Sequence, residues 1–132
     1  MAVQLPEKAK ALLLAPNIAN IATIMPNGAP HVVPVWVDYE DGYVLINTAE
    51  GRQKLKNIRR DPRVGMDVVD RQDVYAVLAL RGHVVEITRD GADAHIDKLA
   101  KKYLGQDKYP FRSPGEQRVI IRIEPDRLLG MN

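Results

Sequence analysis

Six cations crowd one short stretch of this chain. Arg52, Lys54, Lys56, Arg59, Arg60 and Arg63 lie within residues 47–63, whose only acids are Glu50 and Asp61. Six positive and two negative charges leave the stretch at +4; the whole chain is +2, so the remainder sums to −2. The stretch follows an apolar run and opens a short helix. A helix start has unpaired backbone N–H groups and the positive end of its dipole, which favour an anion. Asn47 and Thr48 stand just before it as further polar groups. Such a junction can seat a phosphate. A solvated basic helix has the same composition, and both readings stand at this point. In a regular helix Arg52 and Lys54 point ~200° apart. Both reach one phosphate only if Arg52 lies in the turn before the helix, or if the two approach from opposite sides. Lys56 and Arg59 then face solvent or meet a longer anionic tail.

Other chemistry has less support. His31, His83 and His95 fall in different elements without metal-ligand spacing, so they read as surface histidines and no metal site is expected. The single serine, Ser113, sits in a Pro/Gly loop, which argues against a serine hydrolase. Asp67/Asp70 and Asp90/Asp93 read as solvated strand ends and helix starts. The chain has no Cys, which excludes disulfides, thiolate metal sites and a thiol nucleophile, and fits a cytoplasmic protein. No Gly-rich dinucleotide or Walker motif occurs. No stretch resembles a signal peptide or reaches the ~18 apolar residues of a membrane span. A net charge of +2 does not suggest a protein that wraps nucleic acid.

The elements that must position the basic stretch are mostly strands. Residues 6–15 read as a helix with Pro6 in its first turn, and 18–25 as a strand ended by Pro26-Asn27-Gly28. Residues 31–39 form a strand with Val33, Val35, Val37 and Tyr39 on one face. The other face, Val32, Pro34 and Trp36, is also largely apolar, and needs a helix, a partner subunit or a flat ligand to cover it. Pro34 marks an edge or a bulge. Asp41-Gly42 predicts a hairpin into a strand over 43–48. Thr48 is expected to cap the basic helix, with Leu55 and Ile58 inward and Asp61-Pro62 ending it. Strands follow over 63–69 and 74–87, the second bent at Gly82. Residues 90–104 are an amphipathic helix through Ile96, Leu99, Ala100 and Tyr103. A loop over 105–117 leads to a last strand over 118–127. The count is six strands in one domain, joined by tight turns, which argues for a mainly β antiparallel barrel with short flanking helices.

The run Thr48-Ala-Glu-Gly-Arg52-Gln-Lys54 followed by Asn57-Ile-Arg-Arg-Asp61-Pro62-Arg63-Val64 resembles the signature of the pyridoxamine 5'-phosphate oxidase-like flavin and deazaflavin proteins, in particular their F420-dependent oxidoreductase branch. Ala22-Thr23-Ile24, Pro30 to Trp36 and the ending 118–127 are similar to that branch too. The resemblance implies a six-stranded split β-barrel and a homodimer with the cofactor in grooves at the subunit interface. It implies that Arg52 and Lys54 hold the cofactor phosphate, helped by Asn47 and Thr48. It implies that the flat ring lies along Val33, Pro34, Val35 and Trp36. The partner's 73–77 region, with Tyr75, would close over the ring. Lys56 and its neighbours suit the long anionic tail of F420 better than the short phosphate of FMN, which remains the alternative. The implied activity is hydride transfer between F420 and a small unsaturated organic substrate. No side chain stands out as a proton donor, and no second cation cluster supports a pyridoxamine phosphate substrate.

Overall fold

The structure, a computed structural model, describes residues 2–131. Helix α1 is Glu7–Leu14, and strands β1 Ala19–Ile24, β2 Pro30–Val35, β3 Asp38–Glu40 and β4 Tyr43–Ala49 follow. Helix α2 is Gln53–Arg60, then come β5 Arg63–Val69, β6 Val77–Thr88, helix α3 Ala92–Leu104 and β7 Arg118–Met131. The strands form one antiparallel sheet in the order β2-β1-β5-β6-β7-β4-β3.

That order forces the sheet to curl. Its outermost strands, β2 and β3, are consecutive in the chain and joined only by Trp36 and Val37. Three Cα steps from Val35 to Asp38 span at most about 11 Å. Seven strands laid flat would put the outer pair about 29 Å apart. The sheet must therefore roll into a barrel with a seam between β2 and β3, in keeping with the expected split barrel. The strand expected over 31–39 is thus two strands, and the count is seven rather than six.

The break has a cause. At Val37 the backbone leaves the ladder and is taken over by α3. Val37 N–H donates to Tyr103 Oη at 3.0 Å, and Lys102 Nζ donates to Val37 O at 2.5 Å. Lys102 also donates to Leu13 O at 2.7 Å, tying α1 to the same point. Burial pushes the Lys102 ammonium down to about 8.

The core lies inside the curl. Ile21, Val44, Ile46, Val68, Leu78, Leu80, Ile121 and Ile123 fill it from the sheet, and Leu5, just before α1, closes it with Ala9, Leu12 and Leu13 of the helix. Leu55 and Ile58 of α2 face inward as their spacing predicts. Helix α3 packs its stripe of Ala92, Ile96, Leu99 and Ala100 on β4 and β7. Asp41 and Gly42 both have positive φ, 54° and 87°, the backbone of a type I′ hairpin turn. Strand β6 bends through three register irregularities, one of them at Arg81/Gly82. A Cβ at Gly82 would run into the Glu124 carbonyl oxygen, so the bend needs glycine. Pro34 sits on the edge strand β2, where its missing donor costs no ladder bond. Among the described residues no helix is long and apolar enough to cross a membrane.

Candidate functional site

A cleft of about 340 Å³ opens where the seam, the end of β4 and the start of α2 meet. Pro34, Val35 and Trp36 line it from the seam, Asn47 and Thr48 from β4, and Arg52 and Lys54 from the α2 start. The rest of the wall is Ile18, Ile96 of α3, Tyr109 and Phe111 of the loop after α3, and Arg118 at the head of β7.

Arg52 and Lys54 share this cleft because of where α2 begins. Arg52 is the residue before the helix, with extended backbone (φ −73°, ψ 142°), and the helical residues start at Gln53. The ~200° separation of a regular helix therefore does not apply to the pair. Thr48 does not cap α2; it is buried in β4, paired with Val119, and α2 has no side-chain cap at all.

Three residues named from the sequence lie elsewhere. Val33 packs its side chain against the core, on the opposite face of β2 from Pro34. Lys56 is exposed on α2 and does not reach the cleft. Tyr75 is 81% exposed in the turn between β5 and β6, outside the cleft of its own chain. The other cations of the basic stretch are engaged. Arg59 makes a two-pronged ion pair with Glu50 at 2.6 and 2.7 Å. Arg60 bonds the Ile24 carbonyl, and Arg63 pairs with Asp61 at 2.7 Å. Glu50 and Asp61 are both held below the ordinary carboxylate range by these arginines.

Arg118 was not foreseen. It opens the closing strand, where β4 pairing puts it opposite Ala49, on the same side of the ladder as Asn47. Its Nε donates to Asn47 Oδ1 at 2.8 Å and its Nη1 to Glu116 Oε1 at 3.2 Å. The guanidinium lies 5.2 Å from the Tyr109 ring centre. Only the register of β4 against β7 could have found it. Arg52, Lys54 and Arg118 thus converge on one cleft, and of the three Arg118 pairs with a carboxylate, Glu116. The crowding is felt at Lys54, whose ammonium is pushed down by burial, then by Arg52 and Arg118.

The aromatic wall rests on α3. Trp36 stacks on Tyr103 at 5.1 Å with 6° between planes, and meets Tyr109 edge-on at 5.9 Å. The cover required over Trp36 is therefore a helix, while Val32 and Pro34 on the same face stay bare. Tyr103 Oη donates to Asn17 O at 2.6 Å, so it is a brace behind the wall. The Tyr109 loop is fastened by Asp97, which accepts from Tyr109 N at 2.9 Å and pairs with Arg112 at 2.5 Å; these contacts hold its carboxyl low. A second cleft, about 500 Å³, shares Trp36 and Ile18 with the first.

The surface reading fails for His95. It is 7% exposed, and its ring bridges Asn47 Nδ2 (3.1 Å to Nδ1) and Asp38 Oδ2 (3.1 Å to Nε2). Lys98 Nζ donates to the same Asp38 oxygen at 3.0 Å. Burial alone would raise the Asp38 carboxyl, but hydrogen bonds from His95, Lys98 and Tyr39 N–H outweigh it and hold the group well below the usual range. His83 instead hydrogen-bonds Asp126 at 2.9 Å across β6 and β7, with Glu124 nearby, on strands away from the cleft.

Comparison with known proteins follows the same lines. Residues 5–132 match the profile of the pyridoxamine 5'-phosphate oxidase family. The chain is 27% identical over 130 residues to the F420H(2)-dependent biliverdin reductase of Mycobacterium tuberculosis (strain CDC 1551 / Oshkosh), covering 96% of this chain and 88% of that one. It is 32% identical to a solved F420 reductase, with a TM-score of 0.81 over 94% of this chain and 98% of that one. General Stress Protein 26 of Bacillus anthracis str. Sterne shares the fold, with a TM-score of 0.65 at 20% identity over 92% of this chain and 89% of that one. The chain belongs to the pyridoxamine 5'-phosphate oxidase family of split barrels.

Proposed function

We propose that the cleft binds the deazaflavin coenzyme F420 and that the protein is an F420-dependent oxidoreductase acting on a small unsaturated organic substrate. The observation that carries this reading is the convergence of Arg52, Lys54 and Arg118 on one cleft. Like charges brought together in a half-buried site favour an anion that neutralises them. A phosphate fits that donor set. Two relatives whose names specify F420, at 27% and 32% identity, favour the deazaflavin. Bound there, F420 would supply a hydride donor or acceptor.

The chain's own task is binding, orientation and exclusion of water. Arg52 and Lys54 hold the phosphate, with Arg118 as a third cation. Pro34, Val35 and Trp36 offer a flat, rigid surface, with Trp36 fixed by Tyr103 and Tyr109. At about 340 Å³ the cleft is at the small end of ligand pockets. A second copy of the chain would enclose what protrudes. Exposed apolar residues support this: Val32 at 59%, Val74 at 67% and Tyr75 at 81%. In a homodimer Tyr75 would act on the partner's cofactor, and Val33 would contribute only its backbone. A Cys-free chain suits a cytoplasmic setting.

FMN is the second reading. Arg59 and Arg60 are engaged elsewhere and Lys56 is outside the cleft, so among the described residues no row of free cations extends from the seat toward a long tail. A carrier without turnover is the third. Fluorescence titration with F420 and with FMN separates the first two; tight FMN binding without F420 binding sinks the F420 proposal. Oxidation of bound reduced cofactor by enones or quinones separates enzyme from carrier. Arg52→Ala with Lys54→Ala should abolish cofactor binding while far-UV circular dichroism stays unchanged. Wild-type affinity in that double variant would put the phosphate elsewhere.

A further inference from the structure

We infer that His95, buried behind the cleft, is a positioning residue that aims Arg118 into the cleft through Asn47, and does so only while it is neutral. The consequence for affinity rests on the anion-binding reading above. The hydrogen-bond logic leaves little freedom. Ala92 O can only accept, and Asn47 Nδ2 lies 2.9 Å from it. Arg118 Nε can only donate, and Asn47 Oδ1 lies 2.8 Å from it. These two partners fix which way the Asn47 amide points. Its remaining N–H then faces His95 Nδ1 at 3.1 Å, so that nitrogen must accept. The ring proton therefore sits on Nε2 and is donated to Asp38 Oδ2 at 3.1 Å.

The result is an unbroken chain of side chains, Lys98–Asp38–His95–Asn47–Arg118, running from the surface of α3 to the cleft wall. Each of the four joints links a different pair of side chains, drawn from α3, β3, β4 and the head of β7. With His95 neutral, the Asp38 carboxylate is balanced by Lys98. A second proton on His95 would put an N–H of the ring against the N–H₂ of Asn47. Asn47 cannot turn its oxygen to His95 without losing Ala92 O and presenting donors to Arg118. At 7% exposure of His95, no solvent layer stands ready to relieve the clash. Charged groups around the ring act on the same balance: Asp38 from β3, Lys98 and Lys102 from α3, and Arg118 with Glu116 from the head of β7. Lys54 and Arg52 line the same cleft as Arg118. Protonation of His95 adds positive charge to a region where cations already outnumber acids, and releases Arg118 from its acceptor.

The test combines side-chain NMR of the free protein with F420 titration from pH 8 to pH 5. At pH 8 the wild type should show His95 protonated on Nε2 and a slowly exchanging Arg118 Nε–H. Acidification should abolish that protection. His95→Gln, whose amide can accept from Asn47 and donate to Asp38, should keep it at every pH. His95→Phe should speed Arg118 Nε–H exchange roughly tenfold or more, as expected for loss of a bond to a charged group. F420 affinity should change roughly tenfold more between pH 8 and pH 5 in the wild type than in His95→Gln. The ligand's own titration is common to both and cancels. A proton on Nδ1 at pH 8, Arg118 protection relative to free arginine that stays the same from pH 8 to pH 5, or protection that survives His95→Phe, each overturns the inference. Should His95→Phe fail to fold, the wild-type and His95→Gln pH series decide alone. Failure of F420 and FMN to bind at any pH, with the NMR arm as expected, removes the cofactor reading and leaves the latch standing. F420 binding with a flat NMR arm does the reverse.

Discussion

At the scale of residues, two buried polar groups, Asn57 and Asp38, serve structure beside the cleft. Asn57 of α2 is fully buried; it donates to Thr23 Oγ1 at 3.0 Å and to Met25 Sδ at 3.4 Å, and accepts from Gln53 at 2.9 Å. It fastens the helix that carries Lys54 to β1. Asn57→Ala leaves Thr23 unpaired and should cost about 1–3 kcal/mol in chemical denaturation. Asp38 is the second case. Its carboxyl is held below its unfolded value near 4. Its contribution is therefore present above the unfolded value and is lost as pH falls through the lower folded value. Thermal melts of Asp38→Asn should depend less on pH below about 4 than those of the wild type. A slope equal to that of the wild type would mean that other carboxylates carry the acid response. Residue types alone left Arg52 and Lys54 open between a phosphate seat and a solvated basic helix; the family resemblance singled them out, and both line the cleft. Arg118 and His95 were not legible, because each acquires its meaning from a partner about fifty to seventy positions away, Asn47 in both cases.

At the scale of elements, periodicity located every helix, and the turn chemistry located most strand ends. Asp41-Gly42 and Asp61-Pro62 punctuate the chain where their residue types require. The misreading over residues 31–39 has a physical source. Alternation persists across Trp36-Val37, yet side chains of α3 have replaced the strand partner there. Nothing local in the sequence records a break that a distant helix imposes. Val74 was expected in a strand and instead lies in the turn before β6, where Asp73 accepts from Tyr75 N at 3.1 Å. The bend at Gly82 was legible, since a glycine within a long strand has few other uses. Gly82→Ala forces a methyl group onto the Glu124 carbonyl and should destabilise by about 1–3 kcal/mol, read from urea midpoints. Unchanged stability would mean that β7 yields at Pro125 more freely than its packing suggests.

At the scale of the whole molecule, the barrel leaves one face of its edge strand uncovered. Val32 and Pro34 stand bare on β2 beside the cleft, in line with the proposed homodimer. Val32→Asp should shift sedimentation from dimer toward monomer and weaken F420 binding together. A wild type that sediments as a monomer at micromolar concentration rules the dimer out. No periodicity could reveal this face, since an apolar residue looks the same whether its cover is a helix of its own chain, as for Trp36, or another copy.

The seam between β2 and β3 has no backbone ladder across it, and Val37 is guarded only by Tyr103 and Lys102. Trp36 and Val37 keep the two strands within about 11 Å of each other, so the seam cannot part on its own; with Val37 outside any ladder it is instead a natural place for local opening. Any molecule lying against Pro34, Val35 and Trp36 on one flank and Asn47 and Arg118 on the other would act as a staple across that opening. Occupancy should then be visible as slowed amide exchange at Val37 and Asp38. It should also appear as added stability of about 2.7 kcal/mol at a ligand concentration 100-fold above Kd. A melting-temperature screen of candidate cofactors would thus report on the cleft without any turnover.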